Sequence, residues 1–182
     1  MKRSYFYPLC LIALTLVAGA GESSAQRDYM TEEEIEIVRD AQDIDLRIDV
    51  LTKMIDRRLA ALGIEHGGWK NAAKEDPKWG PLPKGSRAEL LTDIRRLIEK
   101  AIDDIEAIAD RDDRALEQNK TGGKLFPKAV HMLDAAGQRY AAIFKKLLDG
   151  NTEERERGVL LNSIDLCDQI NAAAKTIPKP KK

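Results

Sequence analysis

The spacing of apolar residues between positions 31 and 62 constrains the fold of this chain more than any other feature. Eight of them recur at steps of three or four, namely Ile37, Ala41, Ile44, Ile48, Leu51, Ile55, Leu59 and Leu62. That period is typical of one face of an α-helix. Thr31 and Glu34 have the spacing of a capping box, which predicts where the helix begins, and Gly63 predicts where it ends. The sequence therefore predicts one long helix over about residues 31–62.

One stretch inside this helix, DIDLRIDVL at 43–51, alternates polar and apolar residues as a half-buried β-strand does. The alternation stops at the ends of the stretch, whereas the helical spacing continues on both sides of it. A second apolar row, Leu46, Val50 and Met54, accounts for the alternation because it lies beside the first row on the same helix. We interpret the stretch as part of a helix with two apolar sides, which can contact two partners at once.

Three further segments have helical spacing and complete the predicted fold. They cover about residues 86–118, 127–149 and 152–176. Ser86 and Glu89 form a second capping box, Pro127 suits the first turn of the third helix, and Thr152 caps the fourth. The sequence predicts an all-α antiparallel bundle of four helices in a single domain, residues 26–177. Because the first two predicted helices are the longest, we expect them to form a hairpin that protrudes from the bundle.

The two ends of the chain differ from the helical part. Lys2 and Arg3 precede a short apolar run over 9–20, which is shorter than the about 20 residues that a transmembrane helix needs. Small residues follow up to Ala25, so residues 1–25 have the pattern of a secretory signal peptide. We expect cleavage near Ala25, a periplasmic or secreted location, and no transmembrane helix after cleavage. The last residues, 178–182, form a basic, proline-rich tail.

Composition excludes several classes of function. Removal of the first 25 of 182 residues leaves 28 basic and 30 acidic residues, and this balance argues against a nucleic-acid-binding protein. Only Cys167 remains, so an internal disulfide is excluded and the core alone must stabilise the fold. No nucleophile motif and no glycine-rich phosphate loop occurs in the sequence. We therefore predict a protein that is not an enzyme and has no cofactor.

A row of acidic residues on the second predicted helix is the candidate ligand site. Its members, at steps of four and three, are Glu99, Asp103, Glu106, Asp110, Asp113 and Glu117. Such spacing brings like charges together. A divalent cation bound by carboxylate oxygens would relieve the repulsion if a shorter row on the first helix, Asp45, Asp49 and Asp56, faced the longer one. The alternative is a solvated face whose charges are paired with neighbouring arginines.

Two pairs in this row, Glu99 with Asp103 and Glu106 with Asp110, resemble the E-x-x-x-D element of PhoU-type phosphate-signalling bundles. Those proteins bind metal clusters, so the resemblance implies that these four residues bind divalent metal. They are also cytoplasmic, whereas this sequence has a predicted export signal. We keep divalent-cation binding as the alternative function.

The loop predicted over residues 63–85 interrupts all helical periodicity and is rich in glycine and proline. Loops of this length are uncommon in compact domains unless they are functional or disordered. Trp69 and Trp79, with Pro81 and Pro83 nearby, are predicted to form an apolar patch that binds a partner or a glycan, because tryptophan is a frequent interface anchor. The alternative is that both tryptophans fold against the end of the bundle.

The run RDAQDIDLRIDVLTKMIDRRL, which starts at Arg39, resembles the opening helix of some uncharacterised exported bacterial proteins over about 30 residues. The resemblance implies a helical start and no particular activity. The predicted function is a non-enzymatic interaction or scaffold protein of the cell envelope. Its expected partner is an envelope protein of unknown identity or a second copy of the chain.

Overall fold

The computed structural model describes residues 27–64, 77–111, 122–150 and 153–179. These ranges contain five α-helices, one short 3₁₀ turn at Pro77–Trp79, and no β-strand. The helices are α1 (Glu32–Asp40), α2 (Ile44–Ala61), α3 (Arg87–Arg111), α4 (Gly122–Asp149) and α5 (Glu154–Ala174). The prediction of an all-α fold is confirmed.

The chain leaves the helical conformation between α1 and α2, where a single helix was predicted. Thr31 caps α1 as expected, since its hydroxyl accepts a hydrogen bond from the Glu34 N–H and the Glu34 carboxylate accepts one from the Thr31 N–H. At the other end of α1, Ala41 has φ −79° and ψ 84°, and Asp43 is extended with φ −77° and ψ 140°. The Arg47 side chain donates to the carbonyl of Ala41 at 3.0 Å and so satisfies an acceptor that the break releases.

The stretch DIDLRIDVL is helical from Ile44 onward, which confirms its interpretation as helix rather than strand. Its first apolar row is buried at Ile48 and Leu51. The second row is divided between core and surface. Met54 is fully buried, whereas the Leu46 side chain is 52% exposed.

The four longer helices pack in a ring around the core. α2 contacts α3 and α4, and α5 contacts the same two helices. Each of the four helices contributes at least one fully buried side chain to the centre, for example Leu51, Leu97, Phe144 and Leu160. Burial of one such side chain stabilises the fold by about 1.5–3 kcal/mol. No helix in these described ranges is long and apolar enough to cross a membrane.

Contacts between neighbouring helices show that sequential pairs run antiparallel. Arg47 near the start of α2 lies 3.9 Å from Asp104 near the end of α3. Asn171 near the end of α5 donates to Asp134 in the first half of α4 at 3.0 Å. Each of these two pairs, α2 with α3 and α4 with α5, therefore forms an antiparallel pair.

The two antiparallel pairs lie side by side with parallel neighbours, which the sequence did not predict. On α2 and α4, Asp45 bonds to Lys128 and Asp56 to Arg139, and both contacts span 83 residues. On α3 and α5, Arg87 near the start of one helix bonds to Glu156 near the start of the other, at 3.0 Å. The prediction of a four-helix antiparallel bundle did not include these parallel contacts between the pairs.

The described residues also contain no protruding hairpin. The break before Ile44 shortens the first long helix to the 18 residues of α2. The constant offset of 83 residues between α2 and α4 places Ala61, where α2 ends, level with Phe144 inside α4. At this end, α2 and α3 therefore do not extend beyond α4 and α5.

The third predicted helix begins earlier than its proline suggested. α4 starts at Gly122, so Pro127 is its sixth residue and lies inside the helix rather than in the first turn. The fourth predicted helix corresponds to α5, which ends at Ala174. The predicted end of the second helix, residues 112–118, and the predicted signal peptide lie outside the described residues.

Candidate functional site

Trp79, predicted to bind a partner, is buried against α2. Its side chain is 5% exposed, and the Arg57 guanidinium carbon lies 5.5 Å from the centre of its ring. Arg57 also donates to the carbonyls of Trp79 at 2.9 Å and of Pro81 at 2.6 Å. This is the alternative arrangement, in which the tryptophan folds against the helices, and it fixes the 3₁₀ turn on α2. Trp69 lies outside the described residues.

A buried group of charges, which we call the arginine clasp (Glu34, Arg57 and Arg58), joins α1 to α2. All three side chains are at most 1% exposed. Arg58 donates two hydrogen bonds of 2.6 Å to the two carboxylate oxygens of Glu34, and the Arg57 Nε lies 3.2 Å from one of them. Bidentate, charge-assisted bonds of this kind are among the strongest in proteins. They offset the cost of removing the charges from water, so α1 has a fixed orientation on α2.

The arginine clasp was not predicted, although the sequence carries a signal for it. Leu46, Val50 and Met54 step by four residues along the second apolar row, and Arg58 is the next member of that series. A charged residue in an apolar row predicts a buried charge, which needs a partner of opposite sign. Glu34 had been assigned only to the capping box, and its carboxylate serves both contacts.

The angle between α1 and α2 forms a surface groove of about 450 Å³, which we call the elbow groove. Its apolar lining comes from α1, the break, α2 and the 3₁₀ turn, and consists of Ile37, Ala41, Leu46, Val50 and Trp79. Two of these, Leu46 and Val50, belong to the second apolar row. Two of the three residues in the row that was predicted to contact a second partner therefore line a groove open to solvent.

Charges of both signs surround the elbow groove. Asp40 and Asp49 contribute carboxylates, and Lys53 and Lys78 contribute ammonium groups. Asp49 and Lys53 form an ion pair at 2.6 Å in which both side chains are about 40% exposed. Ion pairs this exposed contribute little to stability, so Asp49 and Lys53 can exchange this pair for contacts with a bound segment.

The four acidic residues predicted to bind metal form an exposed row on α3. Glu99 pairs with Arg95 one turn earlier on the same helix, whereas Asp103, Glu106 and Asp110 are exposed. In the part of the chain that the structure describes, no three His, Cys, Asp or Glu side chains are grouped to hold a metal ion. Asp113 and Glu117 lie outside that part.

Two of the three acids in the shorter row on α2, Asp45 and Asp56, bond to α4 and not to the row on α3. The Lys128 ammonium lies 2.6 Å from Asp45, and its hydrogen bond to Asp45 raises the pKa of Lys128. Asp56 accepts a hydrogen bond of 2.9 Å from the Tyr140 hydroxyl. Burial, followed by the nearby Asp56 charge, raises the pKa of Tyr140 well above its ordinary value.

These contacts remove the condition on which the metal prediction depended, because the two acidic rows do not face each other. The sequence contains a matching spacing that indicates α4 as the neighbour of these two acids on α2. Asp45 and Asp56 are separated by 11 residues, as are Lys128 and Arg139. Since 11 residues span about three helical turns, both pairs return to one helix face and can match in register.

Another buried acid, Asp93, lies beside the N-terminal segment of the described chain. Arg27 forms an ion pair with Asp93 on α3 and donates to the carbonyl of Lys84 at 2.6 Å. Burial raises the pKa of Asp93, and the neighbouring arginines oppose that effect. Arg27 thus attaches the segment before α1 to both the loop before α3 and α3 itself.

Comparison with known proteins adds no function to this geometry. The chain matches no protein-family model, and neither a curated protein nor a solved structure matches it. The elbow groove and the contacts that shape it therefore carry the functional proposal.

Proposed function

We propose that this chain is a non-enzymatic interaction protein whose elbow groove binds a segment of a partner protein. The observation that carries the proposal is the apolar lining of a groove in which Leu46 remains 52% exposed. An apolar centre with a charged rim is the usual composition of a protein–protein interface. A partner that fills the groove would bury the Leu46 side chain, and burial of apolar surface stabilises a complex.

Rigidity of the groove walls supports this proposal. The arginine clasp holds α1 against α2, and Arg57 holds Trp79 at one side of the groove. Binding to a groove that is already formed avoids the entropic cost of ordering loops and side chains. Trp79 thus forms a wall of the elbow groove, whereas its sequence context predicts a residue that contacts the partner as an anchor.

The shape and charge of the groove favour a short amphipathic helix as the bound segment. Leu46 and Val50 are one helical turn apart, so they can pack between apolar residues spaced by three or four on the partner. Lys53 and Lys78 suit acidic residues beside those anchors, and Asp40 and Asp49 suit basic ones. A partner with charges of both signs is therefore expected.

We also propose that binding takes place in the cell envelope, where the protein acts as a scaffold component. The pattern of a signal peptide over residues 1–25 supports this location. Mass spectrometry of the protein recovered from periplasmic and extracellular fractions tests it. A mature N-terminus at Gln26 is the expected result, and an intact Met1 in the cytoplasmic fraction would contradict it.

Divalent-cation binding by Glu99, Asp103, Glu106 and Asp110 was the alternative function. Within the residues that the structure describes, these side chains form no group of ligands. The described geometry therefore favours the elbow groove over a cation site, and a thermal melt with divalent cations tests cation binding.

The experiment that tests the proposed function uses two exposed leucines as a matched pair. Leu46 lines the elbow groove and is 52% exposed, and Leu161 on α5 lies outside it and is 47% exposed. A photo-crosslinking amino acid is placed at either position, and the protein is irradiated in the cells that produce it. We expect one discrete crosslinked product from position 46 and none from position 161. Equal products from both positions, or none from position 46, would contradict the proposal.

A further inference from the structure

A second pocket, which we call the core-end pocket, lies between α3, α4 and α5 and shares no residue with the elbow groove. Its volume is about 110 Å³. Six apolar side chains line it, two from each helix, namely Ile102, Ile105, Val130, Leu133, Ile170 and Ala173. Glu106 and Gln169, both exposed, are the polar lining residues, so the pocket opens to solvent at a polar mouth.

Helix arrangement explains why this space is not filled. α3 and α4 lie across the ring from each other, and each packs more extensively on α5 than on the other. On the α5 side, the exposed Ala173 contributes only a methyl group to the lining. Protein interiors are normally packed as densely as organic crystals. The apolar walls of this open pocket contact water, and an apolar guest molecule removes them from it.

We propose that the core-end pocket binds a small molecule with one apolar ring or short alkyl chain and one hydrogen-bond donor, a hydroxyl or an ammonium group. The size follows from the volume, because an apolar cavity of roughly 150 Å³ in another protein binds benzene. The core-end pocket is somewhat smaller but open at one side, so the donor end of the ligand extends into the mouth. There the Glu106 carboxylate accepts a hydrogen bond and repels an anion.

Three compounds with the same ring test the ligand class, namely benzylamine, benzyl alcohol and benzoate. Each is titrated into the isotopically labelled chain, and dissociation constants are measured from the backbone amide shifts of Leu133, Ile170 and Ala173. We expect benzylamine to bind most tightly, benzyl alcohol next and benzoate most weakly. In Glu106→Gln the preference for benzylamine over benzyl alcohol disappears, because the carboxylate charge is gone.

Two neighbouring alanines on α5 provide a matched test of the position. Both alanines are exposed, but only Ala173 lines the core-end pocket. We expect Ala173→Leu to fill the space and weaken benzyl alcohol binding by about tenfold or more. Ala172→Leu leaves the affinity unchanged. Circular dichroism of both variants checks that helicity is the same.

Three results would overturn the inference. One is that none of the three compounds shifts the amides of the pocket. A second is that benzoate binds as tightly as benzylamine, and a third is that Ala172→Leu weakens binding as much as Ala173→Leu does. None of these outcomes depends on the elbow groove, so the core-end pocket and the proposed partner interaction succeed or fail separately.

Discussion

The arginine clasp between α1 and α2 and the charge pairs between α2 and α4 use the same residue types in different environments. In the clasp, Glu34, Arg57 and Arg58 are almost completely removed from water. Between α2 and α4, Asp45 and Asp56 are buried, but the side chains of Lys128 and Arg139 are 53% and 39% exposed. From this difference we infer that the clasp fixes α1 in one orientation, because any other orientation would leave charges buried without a partner. The α2–α4 pairs remain solvated at their basic ends and contribute less.

The largest expected effect comes from removing the acid of the arginine clasp. Glu34→Ala leaves two buried guanidinium groups without their carboxylate, and we expect the free energy of unfolding to fall by about 3–5 kcal/mol. Urea denaturation followed by circular dichroism measures the change. The control is Glu36→Ala, which removes an exposed pair between Glu36 and Arg39 on the same helix. A similar small loss in both variants would show that the clasp stabilises the fold no more than an exposed ion pair does.

Prediction from sequence succeeded where a local pattern determines the structure. The capping box at Thr31 and Glu34 and the apolar spacing of α2 were both recognisable, because each depends on residues a few positions apart. The break after Asp40 was missed because Ala41 continues the apolar row and the interval contains no glycine or proline. Asp43, a residue type favoured at helix N-caps, was the available signal.

The candidate site was harder to predict because it depends on contacts between distant segments. The second apolar row indicated that Leu46 and Val50 have a second role, but the groove also requires α1 and the 3₁₀ turn. Whether Asp45 and Asp56 face α3 or α4 is set by helix packing, which apolar spacing alone does not determine. Trp79 had an exposed and a buried interpretation. Arg57, 22 residues earlier, donates a hydrogen bond to the Trp79 carbonyl and stabilises the buried arrangement.

A smaller effect is expected from the neutral hydroxyl at the α2–α4 contact. Tyr140→Phe removes the hydroxyl that lies 2.9 Å from Asp56 and 3.0 Å from the carbonyl of Thr52. We expect a loss of about 0.5–1.5 kcal/mol in the free energy of unfolding, as for other buried hydrogen bonds. Urea denaturation under the same conditions measures this loss and allows a direct comparison with Glu34→Ala. A loss of stability as large as that of Glu34→Ala would show that the two regions do not differ in their contribution to stability.

A still smaller effect, with a defined pH dependence, is expected at Lys128. Its bond to Asp45 raises its pKa in the folded state above the ordinary value of 10.5. A raised pKa means that the folded state holds the proton more tightly, so the stabilisation is complete below pH 10.5 and is lost as pH rises through the higher value. We expect the urea midpoint of Lys128→Met to lie below that of the unaltered protein at pH 8 and to approach it above pH 10.5. A difference that grows with pH would contradict this sign.

The smallest effect, no measurable change, is expected from divalent cations. Glu99 is paired with Arg95, and the other acids of the row are solvated, so no cation gains a set of ligands from the described part of α3. A thermal melt in EDTA is compared with melts in Mg²⁺, Ca²⁺, Mn²⁺ and Zn²⁺. A cation that binds only the folded state stabilises it by about 2.7 kcal/mol at a hundredfold excess over its dissociation constant. A shift of that size, abolished in Asp103→Asn/Glu106→Gln, would restore metal binding as the function.

The proposed function requires that the elbow groove, held in shape by the arginine clasp, binds a partner segment. The most direct test is the affinity of the partner crosslinked at position 46 for two variants, Leu46→Glu and Leu161→Glu, measured by calorimetry. We expect Leu46→Glu to weaken binding by about tenfold or more, which corresponds to about 1.4 kcal/mol, and Leu161→Glu to leave it unchanged. Equal affinities for the two variants would contradict the account.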